Sequence, residues 1–298
     1  MPPANELSQH GFFGPITASL DWCEANYQFS HYIAELANTL SNFFTLYLAI
    51  RGARQLQQES LPGRFVVSCI GFALIGVGSF AFHASLLYEA QLLDELPMIY
   101  VASMGIWILY DCQPGFDLSS TQTKLQIAFF LLFDSLFTWS YAVYRNPVYH
   151  QVVFAVLIIN CAIRIAYLLK WSPVRTRIPD NKKHVIASMF TTGALTFAFG
   201  FFVWNLDIIF CDTLTRWKRI VGWPAAFLLE GHSWWHLLTV SFSHDNGLHQ
   251  FSLHLKQGLG TYYMFIGIQC ETLCIKDDHR KFSVARRSWL PYVKRLDN

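Results

Sequence analysis

Long apolar segments, separated by short polar connectors, make up most of the 298-residue chain. Each is close to the ~20 residues that a helix needs to cross the hydrocarbon core of a bilayer. Charged residues are 14% of the chain, against about a quarter in ordinary soluble domains, and the mean hydropathy is +0.29. Because hydrocarbon offers no water to the backbone, such segments adopt helices. The sequence therefore predicts an all-α, polytopic integral membrane protein with seven transmembrane helices.

The distribution of basic residues predicts the orientation of these helices. The predicted spans are Tyr32–Ile50, Phe65–Leu87, Leu96–Tyr110, Leu125–Tyr144, Val148–Leu169, His184–Leu206 and a final region from Val221. Most Lys and Arg residues lie on the side that holds the C-terminus, so this side is cytosolic and the N-terminus is lumenal. The chain, 1–298, is then a single membrane domain with a lumenal N-terminal segment (1–31), a seven-helix bundle (32–275) and a basic cytosolic tail (276–298). A cleaved signal peptide is not expected.

Five polar residues fall near the lumenal ends of three predicted spans. His232 and His236 are four apart, so a helix places them on one face, where they can share a metal ion. Ser79 and His83 have the same spacing in span two, which ends on the lumenal side. Asp94 stands at the entrance to span three. Ionisable residues within a membrane are functional candidates, and the predicted topology brings all five to one depth.

Three histidines with an open fourth position are typical of a catalytic zinc site. Zinc lowers the pKa of a bound water to ~7 and so supplies a nucleophile near neutral pH. The segment lacks the Glu of H-E-x-x-H, so Asp94 is the candidate acid–base group and Ser79 the candidate oxyanion donor. The alternatives are that His83 is a core histidine and that Asp94 only caps a helix. Asp134, in span four, has no partner that is evident from the sequence.

The N-terminal segment contains a second group of polar residues, in Asp21–Asn26 and at Glu35. Carboxylate, amide and backbone oxygens are the ligands that Ca²⁺ takes, although the spacing is not that of an EF-hand. Solvated acidic residues that cap a helix are the alternative. Cys23 and Cys211 lie outside the apolar runs on the predicted lumenal side, where a disulfide is chemically allowed. The sequence by itself does not establish their pairing.

Several sequence blocks resemble the alkaline ceramidases, which belong to a wider superfamily of seven-span, metal-dependent membrane hydrolases that includes the adiponectin receptors. These blocks are residues 20–27, 32–35, 78–83, 88–89 with 91–100, 204–207 with 209–211, and 232–239. The block Gln91-Leu92-Leu93-Asp94-Glu95-Leu96-Pro97-Met98-Ile99-Tyr100 is the most specific of them. Together they extend over most of residues 10–275.

The resemblance implies a complete site and a reaction. It implies zinc on His83, His232 and His236, completed by Ser79 and Asp94, and calcium on Asp21, Trp22 (through its backbone carbonyl), Glu24, Asn26 and Glu35. It also implies a Cys23–Cys211 disulfide. The family's substrates are ceramides, which are split into a sphingoid base and a fatty acid in the endoplasmic reticulum or Golgi membrane. Some fungal members favour phyto- or dihydroceramide and can run the reaction backwards. No protein or nucleic-acid partner is predicted.

One segment departs from the family pattern. Residues 240–257 are polar, contain Asp245-Asn246-Gly247, and separate the histidine pair from the apolar stretch that begins at Gly258. A turn signal within hydrocarbon is disfavoured, so we interpret 240–257 as an insert translated from an unspliced intron. Two other functions are alternatives to hydrolysis. One is an adiponectin-receptor-like receptor with a structural zinc site, and the other is a transporter with a histidine pathway.

Overall fold

The computed structural model describes residues 10–240, 260–287 and 290–296, which are mostly helical. The helices are α1 (Leu36–Gln58), α2 (Gly63–Ser85), α3 (Tyr88–Tyr110), α4 (Thr121–Tyr144), α5 (Pro147–Lys170), α6 (Asp180–Ile209), α7 (Cys211–Val221), α8 (Gly231–Val240) and α9 (Gly260–Lys276). Two antiparallel hairpins accompany them, β1 (His10–Gly11) with β2 (Gly14–Pro15) and β3 (Phe282–Arg287) with β4 (Leu290–Arg295). Among the described helices, the five from α2 to α6 are long and apolar enough to cross a membrane.

Local sequence signals explain where several helices begin and end. Helix α4 ends before Arg145, which adopts a left-handed conformation with φ 49°. Asn146 then caps α5 by accepting a hydrogen bond from the backbone N–H of Val148 at 3.0 Å. Pro147 occupies the first helical position, where a missing N–H costs nothing. The predicted short turn between the fourth and fifth spans therefore has its expected form.

The third helix begins eight residues earlier than the sequence predicts, at Tyr88 instead of Leu96. The prediction treated Asp94 and Glu95 as part of a connector because carboxylates are costly within a membrane. In the structure Glu95 is buried and accepts hydrogen bonds from the Tyr141 hydroxyl and from Gln91 Nε2. Because α3 begins at Tyr88, Asp94 lies inside this helix and not at its entrance.

The predicted boundaries also differ at the first span and near the end of the chain. The first helix is shifted relative to the prediction and runs over Leu36–Gln58. Residues 207–219, predicted as a connector, form the end of α6 and most of the separate helix α7. The final helical region begins at Gly231 and not at Val221. Apart from Val240, the predicted insert 240–257 lies outside the described residues.

The helices pack around an apolar core, with α2 between α1 and α3, and α6 against α8 and α9. Small residues permit the closest contacts. A Cβ atom at Gly193 would lie 2.4 Å from the carbonyl oxygen of Gly260, so α6 and α9 touch through their backbones. In the predicted C-terminal tail, the β3–β4 hairpin packs on the bundle. There the Tyr262 hydroxyl donates to the carbonyl of Pro291 at 2.9 Å.

Candidate metal centre

Three histidines from two helices meet in the interior of the bundle. His83 lies in the last turn of α2, and His232 and His236 lie one turn apart on α8. One nitrogen of each ring lies within 4.8 Å of the other two, and all three side chains are buried. The Nε2 atoms of His83 and His232 are 3.2 Å apart. Nitrogens bound at ~2.0–2.1 Å to a tetrahedral zinc lie about 3.3–3.4 Å apart, so the cluster fits this ion.

Neighbouring side chains orient two of the three imidazoles. Glu35 Oε2 lies 2.5 Å from His83 Nδ1, and Ser41 Oγ lies 2.7 Å from His236 Nδ1. Asn42 Nδ2 is 3.3 Å from the same atom of His236. These contacts occupy Nδ1 and direct Nε2 toward the cluster. An outer partner of this kind fixes the ring and tautomer of histidine ligands in metal sites. Sequence reasoning assigned Glu35 to calcium and missed its contact with His83.

The third histidine is held by an aromatic stack. The Trp22 indole lies on the His232 imidazole, with ring centroids 3.6 Å apart and planes inclined by 13°. Trp204 packs against Trp22 in turn, with centroids 5.3 Å apart. Within the described residues, His232 Nδ1 is buried without a hydrogen-bond partner, so stacking is what restricts this ring. The resemblance implies a role only for the backbone of Trp22, and no spacing in the sequence indicates the stack.

Helices α2 and α3 make their closest contact beside the histidines. A Cβ atom at Gly78 would lie 2.0 Å from the carbonyl oxygen of Leu93, so only glycine permits this approach. The contact brings Ser79 beside Asp94, because a Cβ atom at Gly78 would also lie 2.8 Å from the backbone nitrogen of Asp94. Ser79 Oγ also lies 3.5 Å from His236 Nε2. The structure thus brings all five predicted zinc-site residues together, with a carboxyl and a hydroxyl group beside the three imidazoles.

Asp207, near the end of α6, holds the start of the histidine-bearing helix. Its Oδ1 accepts a hydrogen bond from the backbone N–H of Gly231 at 2.9 Å, and its Oδ2 accepts from Cys23 at 3.3 Å. A carboxylate at a helix N-terminus satisfies unpaired N–H groups and the helix dipole. Gly231 provides room, because a Cβ atom there would lie 2.9 Å from the Asp207 side chain. Sequence reasoning assigned no role to Asp207.

The predicted calcium ligands form a second cluster next to the first. Asp21 Oδ1 accepts hydrogen bonds from Asn26 Nδ2 and from the backbone N–H of Trp22, both at 3.1 Å. The same N–H of Trp22 lies 3.3 Å from Glu35 Oε1. Because Glu35 Oε2 contacts His83, this one carboxylate links the two clusters.

Glu24 caps α1, as the helix-cap alternative expects, but its side chain is buried and not solvated. It accepts hydrogen bonds from the backbone N–H groups of Ala37 at 2.6 Å and Asn38 at 2.9 Å. Burial raises the pKa of Glu24 to about 8. In the part of the chain that the structure describes, no Lys or Arg pairs with Glu24 or Glu35, and the buried Asn26 Oδ1 has no hydrogen-bond partner. Carboxylates without a counter-charge and an unpaired carbonyl oxygen have the oxygen chemistry that Ca²⁺ takes. In the described residues, however, the three histidines are the group whose ligand atoms converge within 4.8 Å, so the match to Ca²⁺ rests on chemistry and not on geometry.

A disulfide and a buried ion pair join the segments around the two clusters. Cys23 and Cys211 are disulfide-bonded, with Cα atoms 5.2 Å apart. Lys218 Nζ donates to the carbonyl of Cys23 at 2.9 Å and lies 2.6 Å from Glu230 Oε2. Burial raises the pKa of Glu230, and Lys218 opposes this rise. Since Glu230 directly precedes α8, the ion pair fixes the approach to His232.

The structure also provides a partner for Asp134. Its Oδ1 accepts a hydrogen bond from Ser103 Oγ at 2.8 Å, which joins α4 to α3. Its backbone carbonyl accepts from Thr138 Oγ1 at 2.6 Å. We therefore assign Asp134 a role in helix packing.

The fold and the site define a multi-pass membrane protein with a buried three-histidine centre. The family model described as Ceramidase matches residues 14–244. Alkaline ceramidase 3 of Mus musculus is 34% identical over 245 residues, which cover 80% of this chain and 84% of that protein. Alkaline ceramidase YPC1 of Saccharomyces cerevisiae is 36% identical over 247 residues, which cover 78% and 76%. The chain belongs to the ceramidase family, which confirms the resemblance found in the sequence.

Proposed function

We propose that the protein hydrolyses the amide bond of ceramides to a sphingoid base and a free fatty acid, with zinc as its catalytic cofactor. The observation that carries this proposal is the buried triad of imidazoles beside Asp94 and Ser79. The names of the relatives support ceramide as the substrate class. An amide with two long hydrocarbon chains also matches a site enclosed by apolar helices. A preference for phyto- or dihydroceramide, and a reverse reaction, belong to the same proposal.

His83, His232 and His236 would hold the zinc ion through their Nε2 atoms. When bound, zinc supplies a water acidified enough to act as a nucleophile and a Lewis acid that polarises the amide carbonyl. Glu35, Ser41 and the Trp22 ring keep the imidazoles oriented for this ligation. Histidine binds zinc as the neutral imidazole, and the buried surroundings favour this uncharged form of the three rings.

Asp94 and Ser79 carry the proton transfer and the charge stabilisation. Asp94 accepts a proton from the attacking water as the C–O bond forms, and passes it to the leaving amine nitrogen as the C–N bond then breaks. The Ser79 hydroxyl donates a hydrogen bond to the oxyanion that develops on the carbonyl oxygen. The close contact of α2 with α3 at Gly78 keeps both side chains beside the imidazoles before the substrate binds. Water and amide thus yield acid and amine without net proton uptake.

The proposal also includes a calcium site in the N-terminal segment and an orientation of the protein in the membrane. Calcium would bind Asp21, the Trp22 carbonyl, Glu24, Asn26 and Glu35, and would hold the segment against α1. Seven spans, with α8 and α9 forming the last, would place the N-terminus in the lumen and the C-terminus in the cytosol. The basic connectors support this orientation. We assign the protein to the endoplasmic reticulum or Golgi membrane.

The decisive experiment is release of sphingoid base from labelled ceramide by the purified full-length protein. We expect turnover to fall to background in His83→Ala and Asp94→Ala, and after treatment with a zinc chelator, with recovery when zinc is restored. His184→Ala is the matched control, because His184 is exposed at the opposite end of its helix from Asp207. Undiminished turnover in His83→Ala would exclude the zinc mechanism. A folded, zinc-loaded protein without any turnover would favour the receptor alternative.

A further inference from the structure

Helix α7 presents an apolar face that no described part of the chain covers. Trp217 is 52% exposed, Ile220 81% and Val221 54%. At 100° per residue these three side chains lie on one side of the helix. Arg216 and Arg219 are exposed on the adjoining side, next to Ile220. The helix is therefore amphipathic, with an apolar face bordered by basic groups.

A third side of α7 is fixed to the protein. Cys211 forms the disulfide with Cys23, and Lys218 makes its ion pair with Glu230. These residues are seven positions apart, two turns along the same face. Because a covalent bond and a buried ion pair hold this side, α7 cannot rotate freely about its axis. The fold therefore sets the direction in which the apolar face points.

The apolar face continues the exposed surface of a predicted span. Ile208, Ile209 and Phe210, at the end of α6 and directly before α7, are also exposed. Helix α6 is one of the five helices that are long and apolar enough to cross the membrane. An apolar surface that extends from a span onto a short amphipathic helix is what the membrane–water interface accommodates. Tryptophan is enriched at that depth.

We propose that α7 lies in the interfacial layer of the bilayer, on the side of the membrane nearest the histidine cluster. Trp217, Ile220 and Val221 insert at the boundary between acyl chains and headgroups. Arg216 and Arg219 extend to the lipid phosphates and the water beyond, as long basic side chains do at interfaces. The partner of this surface is therefore the lipid itself. Through Cys23 and Glu230, the anchored helix also holds the N-terminal segment and the start of α8 at a constant depth.

The charge and the continuity favour lipid over a protein partner. The exposed apolar residues of α7 follow directly in the chain on exposed apolar residues at the end of α6, a helix long and apolar enough to cross the membrane, which favours lipid over a second copy. The basic residues that border the apolar face complement the phosphates of lipid headgroups. A second copy remains an outcome that the experiment below detects.

Nitroxide labels on the full-length protein in phosphatidylcholine nanodiscs test this placement. Single cysteines are introduced as Trp217→Cys, Ile220→Cys and Arg219→Cys, and the unmodified chain measures background labelling of the other cysteines. Relaxation by oxygen reports exposure to lipid, and relaxation by a water-soluble nickel complex reports exposure to water. We expect the ratio of oxygen to nickel relaxation to be several-fold higher at positions 217 and 220 than at 219.

Two results would overturn the proposal. If the ratio of oxygen to nickel relaxation at position 220 is as low as the ratio at position 219, α7 lies in water. Dipolar broadening between Ile220→Cys labels, in nanodiscs that hold two copies, would show that a second copy covers the apolar face. Val221→Cys provides a further position on the same face should one variant fail to fold. The measurement needs no ceramide, so its outcome is independent of the proposed catalytic function.

Discussion

At the level of single residues, the side chains that touch the imidazoles decide how the histidines can act. Glu35 illustrates this, since one of its oxygens contacts His83 Nδ1 and the other lies 3.3 Å from the backbone N–H of Trp22. The same carboxylate was predicted to bind calcium. A single side chain therefore connects the predicted calcium ligands to the histidine cluster.

Glu35→Gln separates this linking role from calcium binding alone. Glutamine keeps the size of the side chain but removes the charge that faces His83. We expect zinc affinity to fall ~10–100-fold, as for other carboxylate partners of histidine ligands, and turnover to fall with it. The measurement is competition for zinc with a chelator of known affinity.

Asp21→Asn is the matched control for that experiment. Asp21 is exposed and accepts hydrogen bonds from Trp22 and Asn26, whereas Glu35 is the carboxylate that contacts His83. We expect this variant to weaken the response to calcium and to leave zinc affinity unchanged. Equal losses of zinc affinity in Glu35→Gln and Asp21→Asn would contradict the linking role of Glu35.

At the level of elements, the geometry of the site depends on how helices begin and where they touch. Helix α8 carries two of the three histidines, and its first N–H group is held by Asp207 of α6. The same carboxylate accepts from the backbone of Cys23. One side chain therefore connects three chain segments at the edge of the site.

Asp207→Ala removes both hydrogen bonds. An unsatisfied buried N–H group costs about 1–3 kcal/mol, so the start of α8 is expected to shift or fray. We predict weaker zinc binding and lower kcat, with the helical circular-dichroism signal of the whole protein preserved. Asp212→Asn, on the exposed side of α7, is the control and should behave as the unmodified protein. Unchanged zinc affinity in Asp207→Ala would show that α8 is held by packing alone.

Local patterns in the sequence account for much of this site, and tertiary contacts account for the rest. The four-residue spacings of Ser79–His83 and His232–His236 are helix periodicities, and these pairs lie together in the structure. The glycine at position 78 is a small residue in a predicted span, yet the sequence does not show that it meets the carbonyl of Leu93. The role of Asp207 depends on a residue 24 positions away, so no local pattern could predict it.

The start of α3 was missed for a related reason. Hydropathy alone excludes Asp94 and Glu95 from a span, whereas the Tyr141 hydroxyl of α4 makes the burial of Glu95 possible and α2 packs closely beside Asp94. Helix α7 was interpreted as a connector because its basic residues interrupt the apolar pattern. Its amphipathic character becomes evident only when the disulfide and the ion pair show which side faces the protein.

At the level of the whole molecule, a buried ion cluster joins helices at the opposite end of α2 from the histidines. Asp111, directly after α3, lies 2.7 Å from Arg64 Nη1 of α2 and 3.0 Å from Lys276 Nζ of α9. Thr123 of α4 donates to its other oxygen at 3.3 Å. Burial raises the pKa of Asp111, but hydrogen bonds from Arg64 and Lys276 outweigh this and lower it below its usual value. Four helices therefore meet at one ionised carboxylate.

Asp111→Asn is expected to destabilise the whole bundle without touching the site. It leaves two buried cations without their counter-ion, and breaking a buried pair in this way costs about 3–5 kcal/mol. The measurement is the free energy of unfolding of the detergent-solubilised protein, with the reactivity of its buried cysteines toward a thiol reagent as the signal of unfolding. Asp117→Asn is the control, because Asp117 is exposed and such changes cost less than about 0.5 kcal/mol.

The pH dependence distinguishes loss of the charge from a simple packing defect. A carboxylate whose pKa is lowered on folding stabilises the protein above its unfolded pKa of about 3.9 and loses that contribution as pH falls toward the folded value. The difference in stability between the unmodified protein and Asp111→Asn should therefore be constant near neutral pH and narrow below about pH 4. A difference that persists unchanged at low pH would mean that the amide disrupts packing, and that the charge of Asp111 does not hold the four helices together.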